Sequence, residues 1–188
     1  MKIIFIIPRW PKDSFWDVIA FKFPFLSPAL LAGLTPPHHQ IRIIDESLNE
    51  IDFTEEVDLV AITALTPLAP RAYEIADEFR KRGKKVILGG IHASWVPEEA
   101  KAHSDSVAIG ESDEIWFEVL DDVEKGTMKP FYRQKERTNL SHLPIPRRDL
   151  YPQKGYLFHN LIQTTRGCPY DCEFCSVTAL YGKTYRMR

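Results

Sequence analysis

All three cysteines of the chain lie in one short stretch near its end, RGCPYDCEFCSV. Three residues separate Cys168 from Cys172, and two separate Cys172 from Cys175. Thiolates are soft ligands that suit iron–sulfur clusters, zinc and copper(I). Three thiolates in one loop can hold three corners of a 4Fe–4S cube, which leaves one iron free to bind a substrate or cofactor. Such crowding disfavours internal disulfides, so the spacing indicates a metal role in a reducing compartment.

A structural zinc site is the main alternative for these cysteines. Zinc would bind the three thiolates and a fourth ligand from elsewhere, and His159 is the nearest imidazole along the sequence. Unliganded thiols are a third possibility. It is the least favoured, because Cys172 and Cys175 stand among polar residues rather than in an apolar segment.

The composition of the 188-residue chain fits one compact domain with additional material, since 44% of its residues are hydrophobic. The formal net charge of −2 gives no overall electrostatic signal for a nucleic-acid or anionic-membrane partner. The apolar run from Ile3 to Ile7 is too short for a signal peptide or a membrane span. These observations predict a cytoplasmic protein with no membrane span and no nucleic-acid partner.

Strand-like and helix-like segments alternate through the first two thirds of the chain, a pattern typical of a mostly parallel α/β sheet. The strand-like segments are residues 2–7, 40–45, 58–65, 84–90 and 106–110. The helix-like segments are residues 27–34, 68–83, 96–103 and 112–126. The pattern predicts a five-stranded parallel sheet of the flavodoxin or Rossmann type, in an α/β domain over residues 1–126.

Ligands bind such sheets beyond the carboxyl ends of the strands, so the residues there are the candidates for a binding site. A Gly-Gly pair lets the backbone approach a ligand closely, and hydroxyl groups can bond its polar atoms. Each candidate residue, named at the end of this paragraph, also has an ordinary structural explanation: a tight turn, a helix cap or a hydrogen-bonding histidine. No Gly-x-Gly-x-x-Gly or Walker A sequence is present, so a dinucleotide is not favoured. The candidates are Asp45, Ser47, Thr63, Thr66, Gly89, Gly90, His92, Gly110 and Glu111.

The pattern changes after Gly126, where prolines and charged residues replace periodic apolar residues. Residues 127–158 are therefore predicted to be a linker with at most one short hairpin. A new strand, Asn160 to Thr164, then leads into the cysteine loop. Residues 159–188 are predicted to begin a second unit.

The stretch RGCPYDCEFC closely resembles the cluster loop of radical S-adenosylmethionine enzymes. The match includes Thr165-Arg166-Gly167 before the first cysteine and Phe174 before the last. The resemblance implies a 4Fe–4S cluster on Cys168, Cys172 and Cys175, with S-adenosylmethionine chelating the free iron. It also implies an electron donor such as flavodoxin or ferredoxin, and a 5′-deoxyadenosyl radical. In that family the loop follows the first strand of a partial βα barrel, the place that Asn160 to Thr164 would take here.

The preceding domain resembles the cobalamin-binding domain of cobalamin-dependent radical enzymes, in the segments ILGGIHASWVPEEA and SVAIGESDE. The resemblance implies that cobalamin binds along the strand ends, and the aromatic residues from Trp10 to Phe25 could cover its ring or pack against a barrel. Many such domains carry Asp-x-His-x-x-Gly, whose histidine binds cobalt from below. Here Ser47 stands at the histidine position and Glu50 at the glycine, which implies cobalamin without that lower ligand.

Together these resemblances imply the amino-terminal part of a cobalamin-dependent radical S-adenosylmethionine enzyme that acts on a small molecule. The implied reaction is methyl transfer to an unactivated carbon from methylcobalamin, with cyclisation or rearrangement as alternatives. Without further barrel strands the chain itself is expected to be inactive. A flavodoxin-like binding module with a zinc loop remains the alternative. Methylthiolation of transfer RNA is less favoured, since enzymes of that kind carry further cysteines and none precedes Cys168 here.

Overall fold

A six-stranded parallel sheet forms the centre of the fold in a computed structural model that describes residues 1–18 and 23–188. The strand order is β2-β1-β3-β4-β5-β6, and all five pairings are parallel. This order confirms the predicted flavodoxin-like α/β sheet, with six strands in place of five. The strands are β1 (Lys2–Ile7), β2 (Gln40–Asp45), β3 (Leu59–Thr63), β4 (Lys85–Gly89), β5 (Ser106–Ile109) and β6 (Phe131–Arg133).

Helices cover both faces of the sheet, which explains why its central strands are almost continuously apolar. The helices of the sheet domain are α1 (Phe15–Val18), α2 (Leu26–Leu34), α3 (Ala69–Lys81), α4 (Ile91–Trp95), α5 (Pro97–His103) and α6 (Trp116–Glu124). One face packs against α3, α4 and α5, and the opposite face packs against α2 and α6. Ile4 and Ile6 of β1 point to the first face, whereas Ile3 and Phe5 point to the second.

Helix α3 shows how the sequence pattern produces this packing. The helical spacing of four apolar residues predicts that they share one face, and all four are fully buried: Ala72, Ile75, Ala76 and Phe79. Gly83 follows with a φ of 75°, a left-handed conformation that suits glycine and ends the helix as predicted. Ser27, a hydroxyl residue at the start of the helix-like segment 27–34, predicts the cap of α2, and this prediction is wrong. Ser27 lies inside the first turn, and Phe25 holds the cap position without a side-chain hydrogen bond.

The sixth strand, β6, lies in the stretch that was predicted to be a linker. Phe131 to Arg133 pair with Val107 to Ile109 of β5. Tyr132 is buried in the layer under α2 and α6, and Tyr151 and Tyr156 from the same stretch are buried there too. Three residues are too few to show the alternation of a strand in the sequence. Burial of Tyr132 explains why this segment pairs with β5.

Two short antiparallel strands enclose the cysteine segment, and this pair with the residues between them is called the cysteine hairpin. The strand that was predicted at Asn160 to Thr164 does not form. The strands of the hairpin are β7 (Thr165–Arg166) and β8 (Arg186–Met187), and α7 (Val177–Tyr181) lies between them. Residues 160–164 form no strand, although the Thr164 carbonyl accepts a hydrogen bond from the Arg188 N–H and the Leu161 carbonyl accepts from Arg148; Ile162 is 77% exposed. Alternating apolar residues there lack a neighbouring strand to bond.

Helices long and apolar enough to cross a bilayer are absent from residues 1–18 and 23–188.

Replacement of Phe79 by alanine tests the core under α3. Phe79 is fully buried against Phe53, with ring centroids 5.1 Å apart. We expect Phe79→Ala to lower the free energy of unfolding by about 3–5 kcal/mol, because it removes apolar contacts and leaves a cavity. Urea denaturation followed by circular dichroism measures this loss. Phe117→Ala on α6 is the matched control, since Phe117 is 52% exposed and its removal should cost far less.

Candidate functional site

A cavity of about 400 Å³ lies at the carboxyl ends of β3, β4 and β5, under helices α2 and α6. The sheet provides this space because small residues, Ala61, Gly89 and Ala108, occupy the strand positions that face it. The volume falls within the range of small-molecule sites, and most of the lining is apolar. Phe5 of β1 also lines it, so the cavity lies beside the β1–β3 junction where the strand order reverses, the usual ligand position in such sheets.

The cysteine segment contributes to the same cavity. Gln163, Arg166, Leu180 and Tyr181 line it together with residues of the sheet domain. Phe25 from the predicted aromatic cover lines it as well, while residues 19–22 of that cover lie outside the described residues. A ligand in the cavity would therefore touch both the α/β domain and the segment that carries the cysteines.

The structure brings five of the nine predicted cofactor residues to this cavity and places four elsewhere. The five lining residues are Thr63, Gly89, Gly90, Gly110 and Glu111. The four that are not part of the lining are Asp45, Ser47, Thr66 and His92.

The glycines at the rim serve different purposes. A Cβ added at Gly89 would meet Ala108 Cβ at 3.7 Å, an ordinary contact, so the missing side chain leaves room in the cavity. Gly90 has a φ of 92°, and an added Cβ would lie within 2.8–2.9 Å of Ala64 backbone atoms and Thr63 Oγ1. Gly90 is thus required by the turn after β4, whether or not a ligand binds.

Asp45 anchors the stretch that follows β6. Its Oδ2 accepts a hydrogen bond of 2.7 Å from the Tyr156 hydroxyl, and its Oδ1 accepts one of 2.9 Å from the Ser47 backbone N–H. Burial, reinforced by the Asp45 carboxylate, raises the pKa of Tyr156 well above its usual range, which keeps the hydroxyl a donor. Asp45 and Ser47 therefore fix local structure at the end of β2.

His92 and Thr66 belong to a polar cluster with α3 and α5. The His92 Nδ1 lies 3.3 Å from Thr66 Oγ1, and its Nε2 lies 3.0 Å from the Tyr73 hydroxyl. That hydroxyl donates to Glu99 at 2.9 Å, and the hydrogen bonds from Tyr73 and His92 lower the pKa of Glu99. His92 lies on α4, and both of its ring nitrogens already have partners, so it acts as a hydrogen-bonding histidine.

The cysteine loop is shaped by glycines and by its own backbone hydrogen bonds. The Cys168 N–H donates to the Gly182 carbonyl at 3.1 Å, and the Cys175 N–H donates to the Cys172 carbonyl at 3.0 Å. All three thiols are free: Cys172 is exposed, and Cys168 and Cys175 are half-buried. Phe174 is 93% exposed.

The side chains of this loop are more open than those of a closed zinc site. Thiolates on one zinc ion lie about 3.8 Å apart, as Zn–S bonds of about 2.3 Å require. Within the described residues, the three sulfurs are not gathered to within 4.8 Å of one another, whereas a cube spreads its ligands over separate irons. His159, the alternative fourth zinc ligand, packs edge-on against the Tyr156 ring. Three free, accessible thiols on one loop fit the donor set of an iron–sulfur cluster.

A buried ion cluster joins this loop to the end of β5. The Glu111 carboxylate, fully buried, accepts hydrogen bonds from Arg166 Nη1 at 2.8 Å and from Arg186 Nη2 at 2.9 Å. Arg166 also pairs with Asp113, and Gln134 Nε2 donates to Glu111 Oε2 at 3.1 Å. Because Arg166 lies on β7 and Arg186 on β8, one carboxylate holds both strands of the hairpin.

Opposing effects set the ionisation of this cluster. Burial disfavours the charged form of Glu111, but the hydrogen bonds from Arg186, Arg166 and Gln134 together outweigh it and lower the pKa of the carboxyl. Burial likewise disfavours charge on Arg166, and its bonds to Asp113 and Glu111 outweigh that effect and raise its pKa. Glu111 and Arg166 are therefore both charged at neutral pH.

Sequence reasoning identified Glu111 as a ligand-binding candidate and missed its arginine partners. Arg166 was noted only as part of the cysteine motif, and Asp113 and Arg186 were not singled out. No periodic pattern marks them, because they are remote in sequence from one another.

Replacement of Glu111 by glutamine tests the ion cluster. We expect Glu111→Gln to lower the free energy of unfolding at pH 7 by about 3 kcal/mol, because it leaves buried arginine charge without its partner. Urea denaturation measures the loss. Asp149→Asn is the control, since the Arg147–Asp149 pair is about half exposed and its loss should cost less than about 1 kcal/mol.

The pH dependence of stability, compared between the parent chain and Glu111→Gln, gives a second check of the ion cluster. The folded-state pKa of Glu111 lies below its ordinary value of 4.5. Its stabilising contribution is therefore fully present above about pH 4.5 and is lost as the pH falls through the folded-state pKa. The difference in stability between the parent and Glu111→Gln should shrink in that acidic range. An unchanged difference would contradict the assignment of this carboxylate.

Comparison with known proteins gives matches along the whole chain, although no family model matches it. The chain is 42% identical to bacteriochlorophyllide d C-8(2)-methyltransferase of Chlorobaculum tepidum, over 85% of the chain and 37% of that protein. It is 30% identical to bacteriochlorophyllide d C-12(1)-methyltransferase of the same organism, over 100% of the chain and 42% of that protein. Hopanoid C-2 methylase of Rhodopseudomonas palustris is 24% identical, over 100% of the chain and 38% of that protein.

The chain thus spans 37% to 42% of the length of these curated relatives. All three are named for methylation at a numbered carbon position. In the aligned region the chain is similar to proteins named for carbon methylation, which bears out the predicted resemblance to cobalamin-binding radical S-adenosylmethionine proteins.

Proposed function

We propose that the chain is the cofactor-binding part of an enzyme that transfers a methyl group to an unactivated carbon of a small molecule. The observation that carries the proposal is the position of the cavity between the end of β5 and the cysteine segment. The names of the relatives support the reaction class, since each specifies methylation at a carbon position. Cyclisation and rearrangement are not indicated by any of those names.

In this proposal Cys168, Cys172 and Cys175 hold a 4Fe–4S cluster. Their soft sulfur donors, partial exposure and position on one hairpin-closed loop suit such a cluster. Three ligands leave one iron open, which is the position that S-adenosylmethionine takes in this family. Partial exposure of the loop also gives an external electron donor, such as flavodoxin or ferredoxin, a surface to approach.

Cobalamin is assigned to the cavity and the strand ends around it. Apolar residues of α2 and α6 form one wall, and Thr63, Gly89 and Glu111 place polar groups or open backbone at the sheet side. About 400 Å³ accommodates part of a large cofactor, the remainder lying along the rim. Neither Ser47 nor His92 lines the cavity, which supports binding without a histidine from this domain below the cobalt.

When bound, the cluster with S-adenosylmethionine supplies the one-electron chemistry that activates a C–H bond, and cobalamin supplies the methyl group. The chain's own residues do the positioning. Glu111 and Asp113 fix Arg166 and Arg186, and these fix the base of the cysteine loop beside the cavity. The apolar walls exclude water from the ligand, which protects reactive species from side reactions. A cytoplasmic location is part of the proposal, because reduced thiols persist there.

Anaerobic reconstitution with iron and sulfide tests the cluster. We expect about four irons per chain, the content of one cube, and broad visible absorption. Cys172→Ser should abolish most of the iron binding, because a serine oxygen is a poor ligand for this soft site. Ser176→Ala is the matched control in the same loop and should retain the iron. One tightly held zinc ion per chain that iron does not displace would contradict the cluster and support the zinc-loop alternative.

Titration with hydroxocobalamin tests the cavity. Gly89→Val should fold, since a Cβ there meets only Ala108 at an ordinary distance, but its methyl groups narrow the cavity. We expect the affinity for cobalamin to fall about tenfold or more, which corresponds to about 1.4 kcal/mol of binding free energy. Absorbance changes and co-elution measure binding. Ala102→Val, a similar change at an exposed position of α5, is the control and should bind as the parent does. Equal binding by both variants would rule out this cavity.

A further inference from the structure

A group of side chains of metal-ligand type lies at the amino-terminal ends of β1 and β2, whereas the cavity lies at the carboxyl ends of the strands. His38 and His39 occupy the turn before β2, and Glu124 is the last residue of α6. The Glu124 Oε1 lies 3.8 Å from His38 Nε2 and 3.8 Å from His39 Nδ1. One donor atom from each residue lies within 4.8 Å of the other two, an arrangement that no other trio of histidine, cysteine, aspartate or glutamate shows in the described part of the chain.

We propose that His38, His39 and Glu124 bind one zinc ion, at a site separate from the cysteine loop. Two imidazoles and a carboxylate are borderline donors that suit zinc, whereas magnesium and calcium prefer oxygen ligands alone. Bonds of about 2.0–2.1 Å to a tetrahedral zinc ion place its donor atoms about 3.4 Å apart. The two separations from Glu124 Oε1, 3.8 Å each, exceed this by about 0.4 Å, and the two histidine donors lie within 4.8 Å of each other. Side-chain rotation, mainly of the exposed His38 and Glu124, can close these gaps.

The backbone around the site is already held in place. Thr35 Oγ1 accepts a buried hydrogen bond of 2.8 Å from Trp116 Nε1 of α6 and donates one of 2.7 Å to the Leu31 carbonyl of α2. The His39 N–H donates to the Pro36 carbonyl at 3.1 Å. The turn that carries both histidines and the helix that carries Glu124 are therefore fixed relative to each other, which lowers the cost of assembling the ligands.

The exposure of the three side chains suits an ion that enters from solvent. The His39 side chain is only 2% exposed, so its ring cannot swing away from the site. The side chains of His38 and Glu124 are 65% and 46% exposed, so they can adjust around an ion and leave it an entry path. Three protein donors leave a fourth zinc position for water.

The amino group of Met1 is the remaining polar neighbour, 3.1 Å from His39 Nδ1. Zinc on that nitrogen displaces the amino group from it. Met1 stays tied to the site through its carbonyl, which accepts from the Gln40 N–H at 2.9 Å. A bound ion would thus link the α2–β2 turn to the end of α6, close to the start of β1, and should stabilise the fold.

Zinc titration of the chain with Cys168, Cys172 and Cys175 replaced by serine tests the proposal, because this background removes the thiolate site. We expect one zinc ion per chain, measured by competition with a chromogenic chelator, and no binding of magnesium at the same concentrations. His38→Ala and Glu124→Gln should each weaken zinc binding at least about tenfold, since even the loss of a supporting partner has an effect of that size. His142→Ala, at an exposed histidine outside the site, should bind zinc as the background does.

Thermal unfolding gives an independent readout. Zinc should raise the melting temperature of the cysteine-free chain, because an ion that binds only the folded state stabilises it. The rise should disappear in His38→Ala and Glu124→Gln and persist in His142→Ala. Failure of the cysteine-free chain to bind zinc would overturn the proposal, as would equal binding by all three variants. Neither result depends on the iron or cobalamin experiments, so this site and the proposed enzyme function can fail separately.

Discussion

The buried carboxylate of Glu111 is the group on which the arrangement of the cofactor region depends. Burying ions is costly, of the order of several kcal/mol for each, and only close partners offset that cost. Here two arginines and one amide surround the carboxylate. Because the arginines come from both strands of the cysteine hairpin, the hairpin and the end of β5 stabilise one another. The position of the cysteine loop beside the cavity follows from this ion cluster.

Similar buried polar contacts fix the other segments that surround the sheet. Tyr156 bonds Asp45 at the end of β2, and the Tyr151 hydroxyl donates to the Phe25 carbonyl just before α2. The stretch after β6 is therefore packed against the apolar layer under α2 and α6. It connects the edge of the sheet to the cysteine hairpin. A polar residue at a strand end can thus hold another segment of the chain in place rather than bind a ligand, as Asp45 does.

The sequence was sufficient for the parallel α/β class and the burial of both sheet faces, because apolar runs and the period of α3 are local signals. It was not sufficient for β6, which is three residues long. The cavity includes only part of the predicted rim. Asp45 and Ser47 follow the edge strand β2, away from the space over β3, β4 and β5. Thr66 and His92 are bonded to the cluster with α3 and α5 instead. The ion cluster joins residues 55 and 75 positions apart, a separation at which a single sequence shows no pattern.

The cysteine motif itself combines metal chemistry with a constraint of the fold. Gly167 has a φ of 89°, and a Cβ added there would clash with the Thr184 carbonyl oxygen. Any side chain at this position would force β7 away from β8. Arg166 on β7 would then move away from Arg186 on β8. Glu111 would then lose one of its two arginines, and the cysteine loop would lose its base. The glycine before the first cysteine is thus explained by closure of the hairpin, whereas the cysteines are explained by their sulfur atoms.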